Sequence, residues 1–126
     1  MSALCGYFVT DCEVPLGVED DNIIRNEQMS ASTQRGGHRA EYGRLYGDKA
    51  WRPAGNGVTG EWIQVMFTSL VKVTYISTQG RSPQDGMQAN RNQYVTQYKV
   101  LYSNDGQSWM YIKNAENDED RVNSLA

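Results

Sequence analysis

Alternation of apolar and polar side chains is clearest over residues 94–103, Y-V-T-Q-Y-K-V-L-Y-S. One side of this period-two ladder carries Tyr94, Thr96, Tyr98, Val100 and Tyr102, and the other carries Val95, Gln97, Lys99 and Leu101. Because successive side chains of a strand point to opposite faces, the pattern predicts a β-strand. Asp105-Gly106 follows, a pair that supplies the positive φ angles of a tight hairpin. Residues 109–113, W-M-Y-I-K, are therefore predicted to form the returning strand.

Two earlier runs are rich in β-branched and aromatic residues, namely residues 61–67 (E-W-I-Q-V-M-F) and 71–80 (V-K-V-T-Y-I-S-T-Q-G). Only three residues separate them, so four consecutive strands with short connections predict an antiparallel sheet. Helix is expected only as single turns. After Lys113 the chain is polar and acidic, and no further strand is predicted there.

Length and composition narrow the class of protein. With 126 residues the chain has room for one domain, and its twelve glycines and eight tyrosines favour an all-β sandwich over a helical fold. The formal charge of −3 argues against nucleic acid as a partner, because binding to the phosphate backbone needs a basic surface.

The charge is unevenly distributed along the chain. Residues 35–52 are locally basic, with Arg35, Arg39, Arg44, Lys49 and Arg52 against Glu41 and Asp48. Residues 116–120 are acidic. A local attraction for anions is therefore expected on a protein that is acidic overall.

Three of these segments resemble the discoidin family, also called the coagulation factor 5/8 type C domain. They read E-W-I-Q-V, V-T-x-I-x-T-Q-G-R and Y-V-T-x-Y-x-V-x-Y-S-x-D-G-x-x-W, and their order and spacing match the family across residues 12–114. The resemblance implies an antiparallel β-sandwich of the jelly-roll, galactose-binding-like type over residues 12–126, after a leader or linker at residues 1–11. It also implies that the closing strands of the sandwich are missing; the alternative is a complete small β domain.

The resemblance extends to the start of the domain. Ile23, Ile24 and the run Q-M-S-A-S at residues 28–32 match the family's first core segment, so their apolar side chains are expected in the core. Cys12 matches a cysteine that normally pairs with one near the end of the domain. No late cysteine exists here, so Cys12 is expected to be a free thiol, with Cys5 as its one possible internal partner.

Three loops are expected to project from one end of the sandwich. In the family they correspond to residues 33–39 (T-Q-R-G-G-H-R), residues 46–52 (Y-G-D-K-A-W-R) and residues 81–93. The long, glycine-rich stretch from residue 33 to residue 60 is itself typical of a loop that is either functional or disordered. The proline, glycine and asparagine content of residues 81–93 indicates a loop independently of any family.

Catalytic chemistry has little support. There is one histidine, and no nucleophile–base motif, phosphate-binding glycine loop or paired-cysteine zinc spacing is present, so an enzyme is not expected. Asp48 and Asp85 offer oxygen ligands for calcium, but isolated acids in glycine loops more often stay solvated. No metal or cofactor is predicted.

What remains is a binding module whose loops select the ligand. Sugars are recognised by planar polar side chains beside an aromatic face. The candidate ligand-binding residues are Arg35, His38, Asp48, Trp51, Arg52, Arg81, Met87, Asn90 and Asn92. For three of them a structural role is the alternative: Trp51 as a plug beneath the second loop, Arg81 in an internal salt bridge, and Met87 packed against its own loop.

The resemblance implies an extracellular or cell-surface module for adhesion that recognises a glycan or a matrix protein. The run G-R-L-Y-G-D-K-A-W-R-P-A-G is similar to a segment of the collagen-binding receptors of the family, and so a collagen-like partner is included. Phosphatidylserine-containing membrane is a second alternative, since Met87 is a large apolar residue in the third loop. A degenerate fragment that binds nothing is the third. No clear signal peptide is present, so the extracellular location rests on the resemblance alone.

Overall fold

The computed structural model describes residues 4–5, 14–55, 59–83, 93–114, 116–117 and 119–124. The chain divides into two compact units, Met1–Gln93 and Tyr94–Ala126. Within the described residues, helix is confined to two short 3₁₀ turns, Asn26–Gln28 and Ala40–Gly43, and all paired strands are antiparallel. The predicted all-β class, with helix limited to single turns, is confirmed.

The first unit contains four strands: β1 (Leu4–Cys5), β2 (Met29–Ala31), β3 (Ile63–Val65) and β4 (Tyr75–Ile76). β2 pairs with β3, and β1 pairs with β4. Strands thus form within both runs predicted at residues 61–80, but each pairs with an earlier segment rather than with the other. β1 comes from the segment interpreted as a leader or linker, and the domain boundary at residue 12 stays a prediction.

The core of this unit is small. Val18, Ile24, Met29 and Ala40 form a buried cluster, and side chains of β3 pack against it. Burying such side chains contributes about 1.5 to 3 kcal/mol for each large one. The core positions predicted at Ile24 and Met29 are confirmed, whereas Ile23 is 59% exposed. The Ile23 side chain lies over Gly17, where an added Cβ would clash with its Cγ2 atom.

Arg44 bonds to two chain segments that contribute side chains to this core. Its Nη1 donates to the carbonyl oxygen of Val18 at 2.6 Å, and its Nη2 donates to the carbonyl oxygen of Ile24 at 2.7 Å and to Asn26 Oδ1 at 2.9 Å. Backbone oxygens that lack a partner in a buried environment are costly, and one guanidinium satisfies two of them here. Arg44 is therefore a structural residue rather than part of a charged surface.

The second unit contains β5 (Gln97–Lys99), β6 (Leu101–Tyr102), β7 (Met110–Tyr111) and β8 (Val122–Ser124). β6 pairs with β7, and Gly106 has a φ of +73°, so the predicted hairpin is confirmed. The single strand predicted over residues 94–103 is instead two short strands with different partners. β5 pairs with β8, with Lys99 opposite Val122.

The expectation that no strand follows Lys113 is wrong, because β8 lies in that region. The chain turns back so that Asn114 N donates to Glu119 O at 2.8 Å. Asp120 accepts hydrogen bonds from the ammonium groups of Lys113 and Lys99, at 2.8 and 3.1 Å. These bonds, the one from Lys113 first, lower the pKa of Asp120. Part of the acidic segment is thus paired with lysines of the same unit.

Asp105 organises the hairpin turn. Its Oδ1 accepts hydrogen bonds from the backbone N–H groups of Ser108 and Gln107, both at 2.8 Å, and from the Ser103 hydroxyl at 2.9 Å. These bonds favour the carboxylate and lower its pKa from 3.8 to about 2. The turn that the Asp-Gly pair predicts is therefore held by the aspartate side chain as well as by the glycine backbone.

Candidate functional site

The first loop is anchored where β2 ends. Ser32 N donates to Trp62 O at 3.0 Å, and Trp62 N donates to Ser32 Oγ at 2.9 Å. The hydroxyls of Ser32 and Thr33 both donate to the Glu61 carboxylate, the latter at 2.8 Å. These backbone and side-chain bonds extend the β2–β3 pairing and fix the direction in which the loop leaves the sheet.

The first loop is itself a tight reversal. Arg35 and His38 are bridged in antiparallel fashion, with His38 N donating to Arg35 O at 2.8 Å. Gly36 and Gly37 form the tip, and Gly37 has a φ of +78°, a conformation that side chains disfavour. The tip is exposed and carries no apolar side chain.

The first and second loops are joined by hydrogen bonds. Arg35 N donates to Arg52 O at 2.9 Å, and Arg52 N donates to His38 O at 3.4 Å. The indole Nε1 of Trp51 donates to Thr33 O at 2.9 Å. The two loops therefore form one structure, called here the loop platform and defined as residues 33–39 and 46–54.

Three predicted ligand-binding side chains serve the interior of the loop platform. Arg35 Nη2 donates to Ala54 O at 3.1 Å. His38 Nδ1 lies 3.1 Å from the carbonyl oxygen of Ala50, and because a carbonyl only accepts, Nδ1 carries the proton. Trp51 is half-buried with its only polar atom bonded to the backbone, which supports the structural alternative for this residue.

Tyr46 is the most prominent residue of the loop platform. Its side chain is 83% exposed, and its φ of +62° is rare for any residue other than glycine. The backbone N–H of Tyr46 donates to Gln79 Oε1 at 2.8 Å. Gln79 belongs to the run T-Q-G-R, so this bond connects the second loop with the segment that leads into the third. Asp48, also exposed, follows two residues later.

Sequence reasoning did not select Tyr46. Its backbone N–H bonds to Gln79, which is 33 residues away, and no local pattern reports such a bond. The available signal was its place between a buried leucine, Leu45, and a glycine, Gly47.

Arg81 lies at the base of the third loop and is half-buried. Its backbone N–H donates to Gln93 O at 2.8 Å, and its Nη1 donates to Gln93 Oε1 at 2.9 Å. The two ends of the loop are thereby tied together. Met87, Asn90 and Asn92, like Asp85 and Cys12, lie outside the described residues.

Two basic side chains converge on one tyrosine ring. Lys49 Nζ lies 4.6 Å from the centroid of the Tyr42 ring, and Arg39 Cζ lies 5.9 Å from it. Both distances are within the range of cation–π attraction. Arg39 Nε also pairs with Glu41 Oε1 at 2.9 Å, while 55% of its side chain stays exposed.

No group of three potential metal-ligating side chains is present among the residues that the structure describes. Over the same part of the chain, no helix has the length and apolar character needed to cross a lipid bilayer.

Fold and site together define an all-β domain that presents joined, exposed loops. The chain matches the model of the F5/8 type C domain over residues 28–125, and it belongs to this family. The resemblance identified from the sequence is thus confirmed.

Relatives of the chain include proteins that are much longer than it is. It is 32% identical to human EGF-like repeat and discoidin I-like domain-containing protein 3 (88% of this chain, 24% of the relative). It is 36% identical to Neuropilin-1a of Danio rerio (82% and 11%). It is 33% identical to the venom prothrombin activator pseutarin-C non-catalytic subunit of Pseudonaja textilis (90% and 8%). The chain therefore spans less than a quarter of the length of these relatives.

Proposed function

We propose that this chain is an extracellular, non-catalytic binding module that recognises a glycan or glycoprotein through the loop platform. Membership of the F5/8 type C family supports a binding role in general. The relatives include a subunit whose name calls it non-catalytic and a protein with discoidin I-like domains. The same relationship supports the proposed location outside the cell.

The observation that carries the proposal is the placement of Tyr46. A tyrosine is a rigid, amphipathic contact residue, and its ring supplies the aromatic face on which a sugar stacks. Leaving such a ring 83% exposed on a backbone with positive φ is unfavourable, and the Tyr46 N–H donates to Gln79 Oε1 at this point. Backbone strain that the surroundings enforce is typical of functional sites.

Neighbouring residues complete a polar surface suited to hydroxyl groups. The exposed carboxylate of Asp48 accepts hydrogen bonds from sugar hydroxyls. Arg81 is proposed as a second contact, because a guanidinium is a planar fork of donors that suits vicinal hydroxyls or a carboxylate. Arg35, His38, Trp51 and Arg52 then act mainly by holding the loops in position.

A membrane surface is favoured less than a glycan. Insertion into lipid depends on burying apolar side chains near the headgroups. The tip of the first loop consists of Gly36 and Gly37, which offer none.

A glycan array probed with the purified 126-residue chain tests the proposal. Tyr46→Ala is expected to weaken binding by about 2 kcal/mol, the size of an interface hot spot. Arg81→Ala is expected to weaken it by about 1.5 to 3 kcal/mol, the contribution of a charged hydrogen bond. Both variants are expected to melt within a few degrees of the wild type.

Tyr94→Ala is the matched control, because Tyr94 is also an exposed tyrosine and lies outside the loop platform. It is expected to bind normally. An array without signal, together with binding to phosphatidylserine vesicles, would contradict the glycan proposal. If Arg81→Ala unfolds the domain while residual affinity is kept, Arg81 is structural.

A further inference from the structure

The five basic residues of positions 35–52 do not form one charged surface. Arg44 is engaged by two carbonyl oxygens and an amide oxygen of the core segment. Arg35 donates to Ala54 O, and Arg52 is half-buried with its backbone bonded to the first loop. Arg39 and Lys49 are exposed, and both lie close to the ring of Tyr42.

The turn Ala40–Gly43 fixes that ring in place. Ala40 and Gly43 are buried, and residues three apart share one face of a 3₁₀ turn, so Glu41 and Tyr42 are directed away from the core. Ala40 N donates to Gln34 Oε1 at 2.6 Å, which anchors the start of the turn to the first loop. Tyr42 therefore offers one ring, set on an anchored turn, to two cationic side chains.

We infer that Arg39 and Lys49, supported by Tyr42, bind a sulfate group of a sulfated polysaccharide. The inference rests on the proposed function, since Arg39 and Lys49 both belong to the loop platform. Both cations lie within about 6 Å of the centroid of one ring, and like charges held near one another favour an anion beside them. Glu41 engages Arg39 at Nε, while 55% of the Arg39 side chain stays exposed.

Sulfate suits this site in charge and in geometry. The guanidinium fork pairs two donors with two oxygens of one anionic group, and the ammonium adds a point charge. On a chain of net charge −3, attraction has to come from a local arrangement of this kind. A polysaccharide also places sulfates beside sugar rings, which matches the nearby tyrosines better than a lipid surface does.

Binding to immobilised heparin, with fully desulfated heparin as the reference, tests the inference. Lys49→Gln and Arg39→Gln are each expected to weaken heparin binding about threefold to fivefold, as for exposed ion pairs, and the double variant by about tenfold or more. Lys49→Arg keeps the charge and is expected to bind normally. Lys72→Gln, which removes an exposed lysine outside the loop platform, is the control and is expected to have little effect.

Several results would overturn the inference. One such result is a wild type that does not bind heparin, or that binds the desulfated form equally well. Another is a loss of heparin binding in Lys72→Gln as large as that in Lys49→Gln, which would indicate diffuse charge attraction only. Binding that depends on Arg39 and Lys49 but is seen with phosphatidylserine vesicles and not with heparin would assign the site to membrane.

The proposed function fails in a different way. If Tyr46→Ala leaves every glycan signal unchanged while Lys49→Gln reduces heparin binding, the sulfate site stands and the role given to Tyr46 is wrong. If Tyr46→Ala weakens the binding of neutral glycans while Lys49→Gln and Arg39→Gln leave heparin binding unchanged, the role given to Tyr46 stands and the sulfate site is wrong.

Discussion

The indole Nε1 of Trp51 donates a hydrogen bond to the backbone carbonyl of Thr33 at 2.9 Å, so that a side chain of the second loop holds the main chain of the first. Together with the backbone bonds between Arg35 and Arg52, this contact makes a single structural unit out of two loops. The Trp51 side chain is half-buried, and its aromatic body packs while its one donor is satisfied.

Trp51→Phe is expected to lower the free energy of unfolding by about 0.5 to 1.5 kcal/mol, because it removes this hydrogen bond and keeps an aromatic ring. Chemical denaturation measures the change. Trp62→Phe is the matched control, since Trp62 is 49% exposed and its observed bonds are made by its backbone. Equal effects in the two variants would contradict the role given to Trp51.

Arg44→Met is expected to lower the free energy of unfolding by about 3 kcal/mol. The substitution leaves the carbonyl oxygens of Val18 and Ile24 without the donors that Arg44 supplies. Arg39→Met removes a charge of the same kind from an exposed ion pair and is expected to cost less than about 1 kcal/mol. A loss of similar size in both variants would show that Arg44 contributes by charge alone.

Neighbouring glycines at the tip of the first loop are expected to respond differently to alanine. Gly37 has a φ of +78°, and so Gly37→Ala should destabilise the domain by about 1 kcal/mol through backbone strain. An added Cβ at either position meets no atom within 4 Å, so steric contact does not contribute. Gly36→Ala lacks the strained φ and should be neutral or slightly stabilising. Thermal melts of both variants test the contrast.

Asp105 gives the hairpin a dependence on pH. Because folding lowers its pKa from 3.8 to about 2, the stabilisation is complete above pH 3.8 and is lost as the pH falls through about 2. Titration of the Asp105 carboxyl by nuclear magnetic resonance should show a midpoint near the lower value. Asp105→Asn should flatten the dependence of stability on pH between these limits. A midpoint at the ordinary value would contradict the three hydrogen bonds.

Features encoded by neighbouring residues were predictable from the sequence. The hairpin of β6 and β7 follows from local alternation and from the pair Asp105-Gly106, which act within a few residues. β8 was missed because its residues, Val122–Ser124, show no alternation and its pairing with β5 spans more than twenty residues. The partners of β3 and β4 were missed for the same reason, since pairing over long distances leaves no mark in a short window.

In the candidate site, too, locally encoded features were predictable and long-range contacts were not. The family motifs located the loops, but the side chains chosen for their chemistry, Arg35, His38 and Trp51, are bonded to loop carbonyls. Charge counting placed Arg44 on the surface because nothing in the sequence marks the carbonyl oxygens that it satisfies. Tyr46 was missed since its positive φ leaves no mark in the sequence and its backbone N–H bonds to a glutamine 33 residues away.

The hydrogen bonds between the loops also limit how this domain can be re-engineered or diversified. Trp51 and Arg52 bond to backbone atoms of residues 33–38, so a grafted first loop with a different length or backbone path would lose these bonds. The first and second loops therefore have to be exchanged as one cassette. Within that cassette, positions such as Tyr46, Asp48 and Lys49 are open to variation, because their exposed side chains can change while the bonds that join the loops are kept.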